Sequence, residues 1–432
     1  MRKVGHRLQQ LARGRSAKTL ADQAMVSASN FLTGIILVRG LGLAEFGRFT
    51  IAYVILLLAN SIQLSFISSP MITLGSLCAT DEERGSFVRG VYGVQLVFCL
   101  IATLGTVAVT IVYLLIDRSG VPSAFVLPFT AAVALFLMQD WLRRYFFTMG
   151  KAAASVWNDG ISYVGQVVVL AALWAAHWLT IGTAFWAIAV TSGLAFAAGA
   201  VLEHLGTTRS LTRTAWRRIR SLSIDLGISN QLQWLVYQGA MLVGASVAGP
   251  QAAGGVRATQ NVIGPVNIAF QAMENIVPIR AAEEMRRNGI RGASRFLFRF
   301  GAAGFIGLLV VFSAASLLSG RFLAFFYGHQ LRVYADVLNL QMLYFLLAWP
   351  IRQLNFLFRT VENTRPILMA SIIAAVLSMA LVYPMVRGYG ALGIVMAAVA
   401  GQLGNLGWLA LSWMRASAGN GKIIGAAAEV KS

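Results

Sequence analysis

The stretch FLMQDWLRRYFFTMG, residues 136 to 150, places Asp140, Arg143 and Arg144 inside an otherwise apolar run. A charge at the bilayer centre costs at least about 2.5 kcal/mol. Three such groups on one helix must therefore face an interior, a water boundary or one another. At 3.6 residues per turn, Gln139, Asp140, Arg143 and Arg144 share a sector of about 140°, with Trp141, Leu142 and Tyr145 on the other side. Asp140 precedes the two arginines by one helical turn, a spacing that permits an ion pair within one face. Two compatible readings of the arginines stay open. They are cytoplasmic anchors at the end of a span, with Lys151 close behind, or they form the inner mouth of a cavity that first contacts an anion.

Polar residues at helical spacing recur elsewhere. One stripe holds Tyr53, Asn60 and Gln63, and another holds Gln260, Asn267, Gln271 and Glu274, interrupted by Pro265 and Pro278. Gln341, Arg352, Asn355 and Arg359 share a face, with Pro350 just before Arg352. Asp22, Ser29 and Thr33 align, as do Asp159, Ser162 and Gln166, and Asn230, Gln233 and Tyr237. Any single stripe is equally explained by hydrogen bonding between helices. Their recurrence in both halves of the chain implies helices that enclose something wet. Arginine forks hold two oxyanion atoms at once, and amides match hydroxyls because both donate and accept. The candidate substrate-binding set is Asp140, Arg143, Arg144, Asn60, Gln63, Gln260, Asn267, Gln271, Arg352, Asn355 and Arg359. Asp22, Asp159 and Glu274 are the buried carboxylates that could exchange a proton or sodium ion. The three prolines serve as hinges or as fixed kinks, since each removes a helix hydrogen bond.

These residues sit on elements of one kind. The chain is 57% hydrophobic and 12% charged, with a mean hydropathy of +0.70, against roughly a quarter charged in soluble domains. Apolar runs of about 20 residues recur, each long enough to cross a bilayer. They predict an all-α integral membrane protein with spans near 20–40, 49–75, 88–116, 123–148, 151–175, 179–202, 223–247, 254–278, 296–318, 336–358, 366–386 and 391–414. The net charge of +19 lies mostly between these runs, so topology accounts for it better than nucleic acid does. Lys and Arg concentrate in 1–19, 205–222, 286–295 and the tail, which places both termini in the cytoplasm. The expected organisation is a basic cytoplasmic segment (1–19), a first lobe (20–204), a basic cytoplasmic linker (205–222), a second lobe (223–416) and a cytoplasmic tail (417–432). The N-terminal segment lacks the apolar core of a signal peptide and reads as retained, a short amphipathic helix on the membrane surface. Cys78 and Cys99 make neither a disulfide framework nor a zinc pattern. No metal or cofactor is expected, and no Walker A phosphate loop is visible.

The halves echo each other. Shifting LGLAEFGRFTIAYVILLLAN onto AGPQAAGGVRATQNVIGPVN by 207 residues aligns Gly42 with Gly249, Gly47 with Gly254 and Asn60 with Asn267. Both stretches carry a Gly-x-x-x-x-Gly turn between two spans, the repeat logic of membrane carriers. The stretch VRGLGLAEFGRFTIAYVI (38–55) resembles the polysaccharide transporter family, the O-antigen (lipid-linked oligosaccharide) flippases. That family belongs to the multidrug/oligosaccharidyl-lipid/polysaccharide exporter superfamily. The resemblance is carried by Arg39, Leu41, Gly42, Glu45, Phe46 and Gly47, with Leu43-Ala44 where the family usually has a proline before the Glu. FFYGHQ (325–330) and YGALGI (389–394) add to it.

The resemblance implies about twelve transmembrane helices in two six-helix lobes around a central cavity, working by alternating access. It also implies an anionic, polyprenyl-pyrophosphate-linked glycan as substrate, carried across the bacterial inner membrane for surface or exopolysaccharide biosynthesis, with polysaccharide polymerases or glycosyltransferases as possible partners. A drug exporter of the same superfamily would favour a cavity richer in acidic and aromatic groups. A peptidoglycan-precursor flippase would share the physics with a different glycan. A membrane glycosyltransferase, polymerase or ligase would need catalytic carboxylates or His and Arg groups on sizeable outer loops. Here His177 and His329 are isolated, and the outer connectors are short.

Overall fold

The structure, a computed structural model, describes residues 2–116, 125–361 and 363–418. The expected tail beyond Ala418 lies outside the described residues, as do the side chains of 2–20 and of Gln271. Every described element is helical. The first six are α1 (Arg2–Leu41), α2 (Leu43–Ser76), α3 (Asp81–Ile116), α4 (Val126–Thr148), α5 (Ala152–Ala175) and α6 (Ile181–Leu202). Next come α7 (209–248), α8 (Pro250–Ile263) and α9 (Val266–Tyr327). The last three are α10 (Ala335–Thr360), α11 (Arg365–Tyr389) and α12 (Ala391–Ala418). Within α9, two helices meet at Gly289, whose φ of 63° breaks the spiral. Among the described residues, ten stretches are long and apolar enough to cross a membrane. The other two expected spans fall on the more polar α7 and on the run from α8 into α9.

Two compact units divide the chain, Met1–Gln231 and Leu232–Ser432. The division falls inside α7, between Gln231 and Leu232. The reason is packing. The basic stretch expected as a connector is helical from Arg209, and its residues at every fourth position, Leu211, Ala215 and Ile219, turn toward α3. Ala215 and Ile219 are buried with Phe87, Val88 and Val91. Gly90 makes this possible, because a Cβ there would stand 2.5 Å from the Leu211 carbonyl oxygen. Arg218 then bonds Glu83 at 3.1 Å and lies over the Phe87 ring.

In lipid, helices associate through close packing and hydrogen bonds because the tails are as apolar as the side chains. In the first unit, Trp141, Leu142, Tyr145 and Phe146 of α4 pack against Ile67 and Met71 of α2 and Val91 of α3. Gly199 of α6 admits Leu142, which a Cβ would approach to 2.5 Å. In the second unit, Phe270 stacks with Phe345 and Trp349, and the Trp349 indole donates to the Gly301 carbonyl at 2.8 Å. Gly401 brings α12 against the α11 backbone at Ala374.

Two backbone features bear on the sites. Gly42 and Gly249, aligned by the internal shift of 207, share one conformation, φ/ψ of 78°/165° and 82°/172°. That region is essentially closed to residues with a Cβ. Three helices also carry a π-helical turn, at Leu64–Ser68, Gly160–Val164 and Leu235–Gly239. Each adjoins a polar cluster, as such turns frequently do at functional sites.

Candidate substrate-binding site

The first unit contains a buried ionic network. Arg143 of α4 donates to Asp22 of α1 at 2.7 Å, and its Nε stands 2.6 Å from Asp159 of α5. Gln139, one turn earlier, donates to Asn158 at 2.9 Å and to Asp159 at 3.0 Å. Asp140 accepts from Gln63 of α2 and from Arg144, each at 3.4 Å, and Gln95 of α3 donates to Gln63 at 3.0 Å. Asp22 and Asp159 have no exposed surface, and Asp140 and Arg143 have 3% and 5%.

The network changes how the charged stretch is read. Helix α4 runs on to Thr148. Most of its residues are buried in the first unit, while Leu127 is exposed. Trp141 and Leu142, on the side opposite the polar sector, are wholly buried. Arg143 meets two carboxylates of its own unit, the same Asp22 and Asp159 singled out as ion-coupling candidates. Arg144 is half-buried and pairs within its own helix. Other stripes of this unit also bond between helices: Gln166 donates to Thr33 at 3.3 Å, and Ser162 lies 3.3 Å from Ser192. The amide nitrogen of Asn60 is buried without a partner among the described residues.

The second unit holds a cavity of about 380 Å³, lined by five helices. Helix α7 contributes Gln233, Tyr237 and Gln238, its π-helical turn presenting the last two. Asn267 and Glu274 come from α9, and Tyr344, Arg352, Asn355 and Arg359 from α10. Ala374 comes from α11, and Gln402 and Asn405 from α12. Glu274 accepts a hydrogen bond from Arg352, whose guanidinium also sits 4.4 Å from the centre of the Phe270 ring. Tyr237 and Tyr344 stack with centroids 4.8 Å apart. The carbonyl oxygens of Gln238, Asn355 and Asn405 are buried and find no hydrogen-bond partner among the described residues. Such atoms are costly unless something fills them.

Five residues selected from the sequence, Asn267, Glu274, Arg352, Asn355 and Arg359, thus converge on one cavity. Gln260 instead accepts from Arg257 at 3.2 Å and does not line it. The stripe reading of α7 had marked Gln233 and Tyr237 without assigning them to the site. Gln402 and Asn405 escaped it altogether, although two amides one turn apart in the apolar run IVMAAVAGQLGNLGW are a visible signal. Among the described residues, no group of His, Cys, Asp and Glu could hold a metal ion.

Two helical lobes of this kind are the fold of transporters of the MOP superfamily. The lipid II flippase MurJ in an inward closed conformation superposes with a TM-score of 0.70 at 12% identity, over 93% of this chain and 87% of MurJ. An inward-facing multidrug resistance MATE family transporter gives 0.64 at 13%, over 94% and 95%. A MOP superfamily transporter from Pyrococcus furiosus, described by the reverse polarity of its binding pocket, gives 0.61 at 13%, over 93% and 94%. No protein-family model and no curated protein matches the sequence.

Proposed function

We propose that this chain is a secondary transporter that carries an anionic, lipid-linked glycan from the cytoplasmic to the periplasmic leaflet of a bacterial inner membrane. The observation that carries the reading is the second unit's cavity. A wall of amides and tyrosines with two arginines and one carboxylate offers hydroxyl partners and a net positive charge. A pocket selecting cationic amphiphiles would have the charges reversed. The fold shared with a lipid II flippase fits this reading, and so does the one-sided Lys and Arg bias, which puts both termini in the cytoplasm. The polyprenyl tail would stay in lipid while the glycan crosses by alternating access, supplying polymerases or glycosyltransferases of surface polysaccharide assembly.

Asp22, Asp159 and Glu274 remain the proposed ion-coupling carboxylates. Asp22 and Asp159 share Arg143, and Glu274 holds Arg352, so exchange of a proton or sodium ion at either place requires an ion pair to open. The second reading, a multidrug exporter, draws on the equally shared MATE fold. One pair of assays separates the two. With protein levels matched, Arg352→Ala/Arg359→Ala should abolish glycan export by cells. Undiminished export, or dye efflux by the unaltered protein without any effect of its deletion on surface glycan, would overturn the flippase reading.

A further inference from the structure

We infer, resting on that glycan reading, that the second unit's cavity seats an acidic sugar residue bearing a single carboxylate, and that the linking pyrophosphate binds elsewhere. Charge argues for one carboxylate. Of the three ionised side chains on the wall, Glu274 and Arg352 neutralise each other. Arg359 is exposed and has no ion pair among the described residues. Among the described residues, one guanidinium of the wall is left without a counterion, which matches one monoanion. A pyrophosphate diester would bring a second negative charge into a wall whose remaining polar groups are neutral.

Hydrogen-bonding capacity argues for a sugar. The unpartnered carbonyl oxygens of Gln238, Asn355 and Asn405 are acceptors, beside the Tyr237 hydroxyl and the Arg352 Nε of the same wall, which can donate. Carboxylates and phosphates carry no donor at neutral pH, so neither satisfies the three oxygens, whereas every sugar hydroxyl does. Asn405 is the most telling of the three, since it is only 8% exposed and lines the cavity. Tyr237 and Tyr344 add aromatic surface against which the C–H face of a pyranose can lie. A volume near 380 Å³ falls at the small end of ligand cavities, which run from about 300 Å³ upward. It suits a short piece of glycan.

The test uses the full-length protein in detergent and three probes: methyl glucuronide, methyl glucoside and inorganic pyrophosphate. Binding is followed by saturation-transfer NMR with titration. The glucuronide should bind at least about tenfold more tightly than the glucoside, the worth of one charge-assisted hydrogen bond. Arg359→Gln should lower the affinity for the glucuronide to that for the glucoside, and Asn405→Leu should weaken both sugars. Equal binding of the two sugars, or a preference that survives Arg359→Gln, overturns the acidic-sugar seat and leaves the glycan reading standing. Pyrophosphate binding that depends on Arg359 and displaces the sugars also overturns it. If neither sugar binds and tetraphenylphosphonium does, the proposed function itself falls.

Discussion

Arg143 is the residue on which most depends. A buried guanidinium held by two carboxylates is stable only as a set, because removing one partner leaves an uncompensated charge, at a cost of about 3–5 kcal/mol. Arg143→Met should therefore lower thermal stability in detergent by about that amount. Adding Asp22→Asn and Asp159→Asn to it should recover much of the loss, since a neutral set no longer carries buried charge. A triple variant no more stable than Arg143→Met would contradict the pairing. Helical periodicity did bring Asp140, Arg143 and Arg144 to notice in the sequence. It could not show that the first arginine's partners come from α1 and α5, because a stripe gives a face and not what lies opposite. Gly42 and Gly249 were legible for a simpler reason, as both mark turns where a side chain has no room in conformational space. Gly42→Ala or Gly249→Ala should each destabilise by about 1–3 kcal/mol, readable as a shift in detergent melting temperature.

At the scale of elements, α7 departs most from expectation. Its basic start was read as a connector because arginines dominate it. The apolar residues at every fourth position, which make it a packed helix, are few and small enough to miss. Its next part lies along the π-helical turn of α2. Ser223 donates to the Phe66 carbonyl at 2.6 Å, Gln231 donates to Ser61 at 3.1 Å, and Gly227 accommodates the Phe66 ring, which a Cβ would meet at 2.3 Å. Gly227→Leu should force α2 and α7 apart. The expected result is faster limited proteolysis in the 203–208 segment, with Phe66→Ala restoring resistance. Unchanged cleavage would show that the two helices do not rely on this contact.

For the whole molecule, hydropathy alone gave the all-helical class, since lipid leaves the backbone few alternatives; ten of the twelve expected spans are apolar enough to be recognised among the described residues. The candidate cavity was only partly legible, for it draws on five helices and no single stripe reveals where several meet. The proposed orientation, both termini in the cytoplasm, rests on the Lys and Arg bias and is open to direct measurement. The native thiols, Cys78 and Cys99, are buried, so an introduced cysteine reports with little background. A membrane-impermeant maleimide applied to spheroplasts should label His177→Cys and spare Ser210→Cys. The opposite pattern would invert the topology.

The burial of α4 has a consequence for biogenesis. During synthesis this segment leaves the ribosome after Asp22 but before Asp159. It enters the translocon with one counterion in place and the second still to be made. Its apolarity is among the lowest of the ten candidate spans, so partition into the bilayer alone is weakly favoured. The expected outcome is insertion of α4 together with α5 as a hairpin, so a chain truncated before Asp159 should integrate α4 less completely in a membrane-insertion assay than one that includes α5.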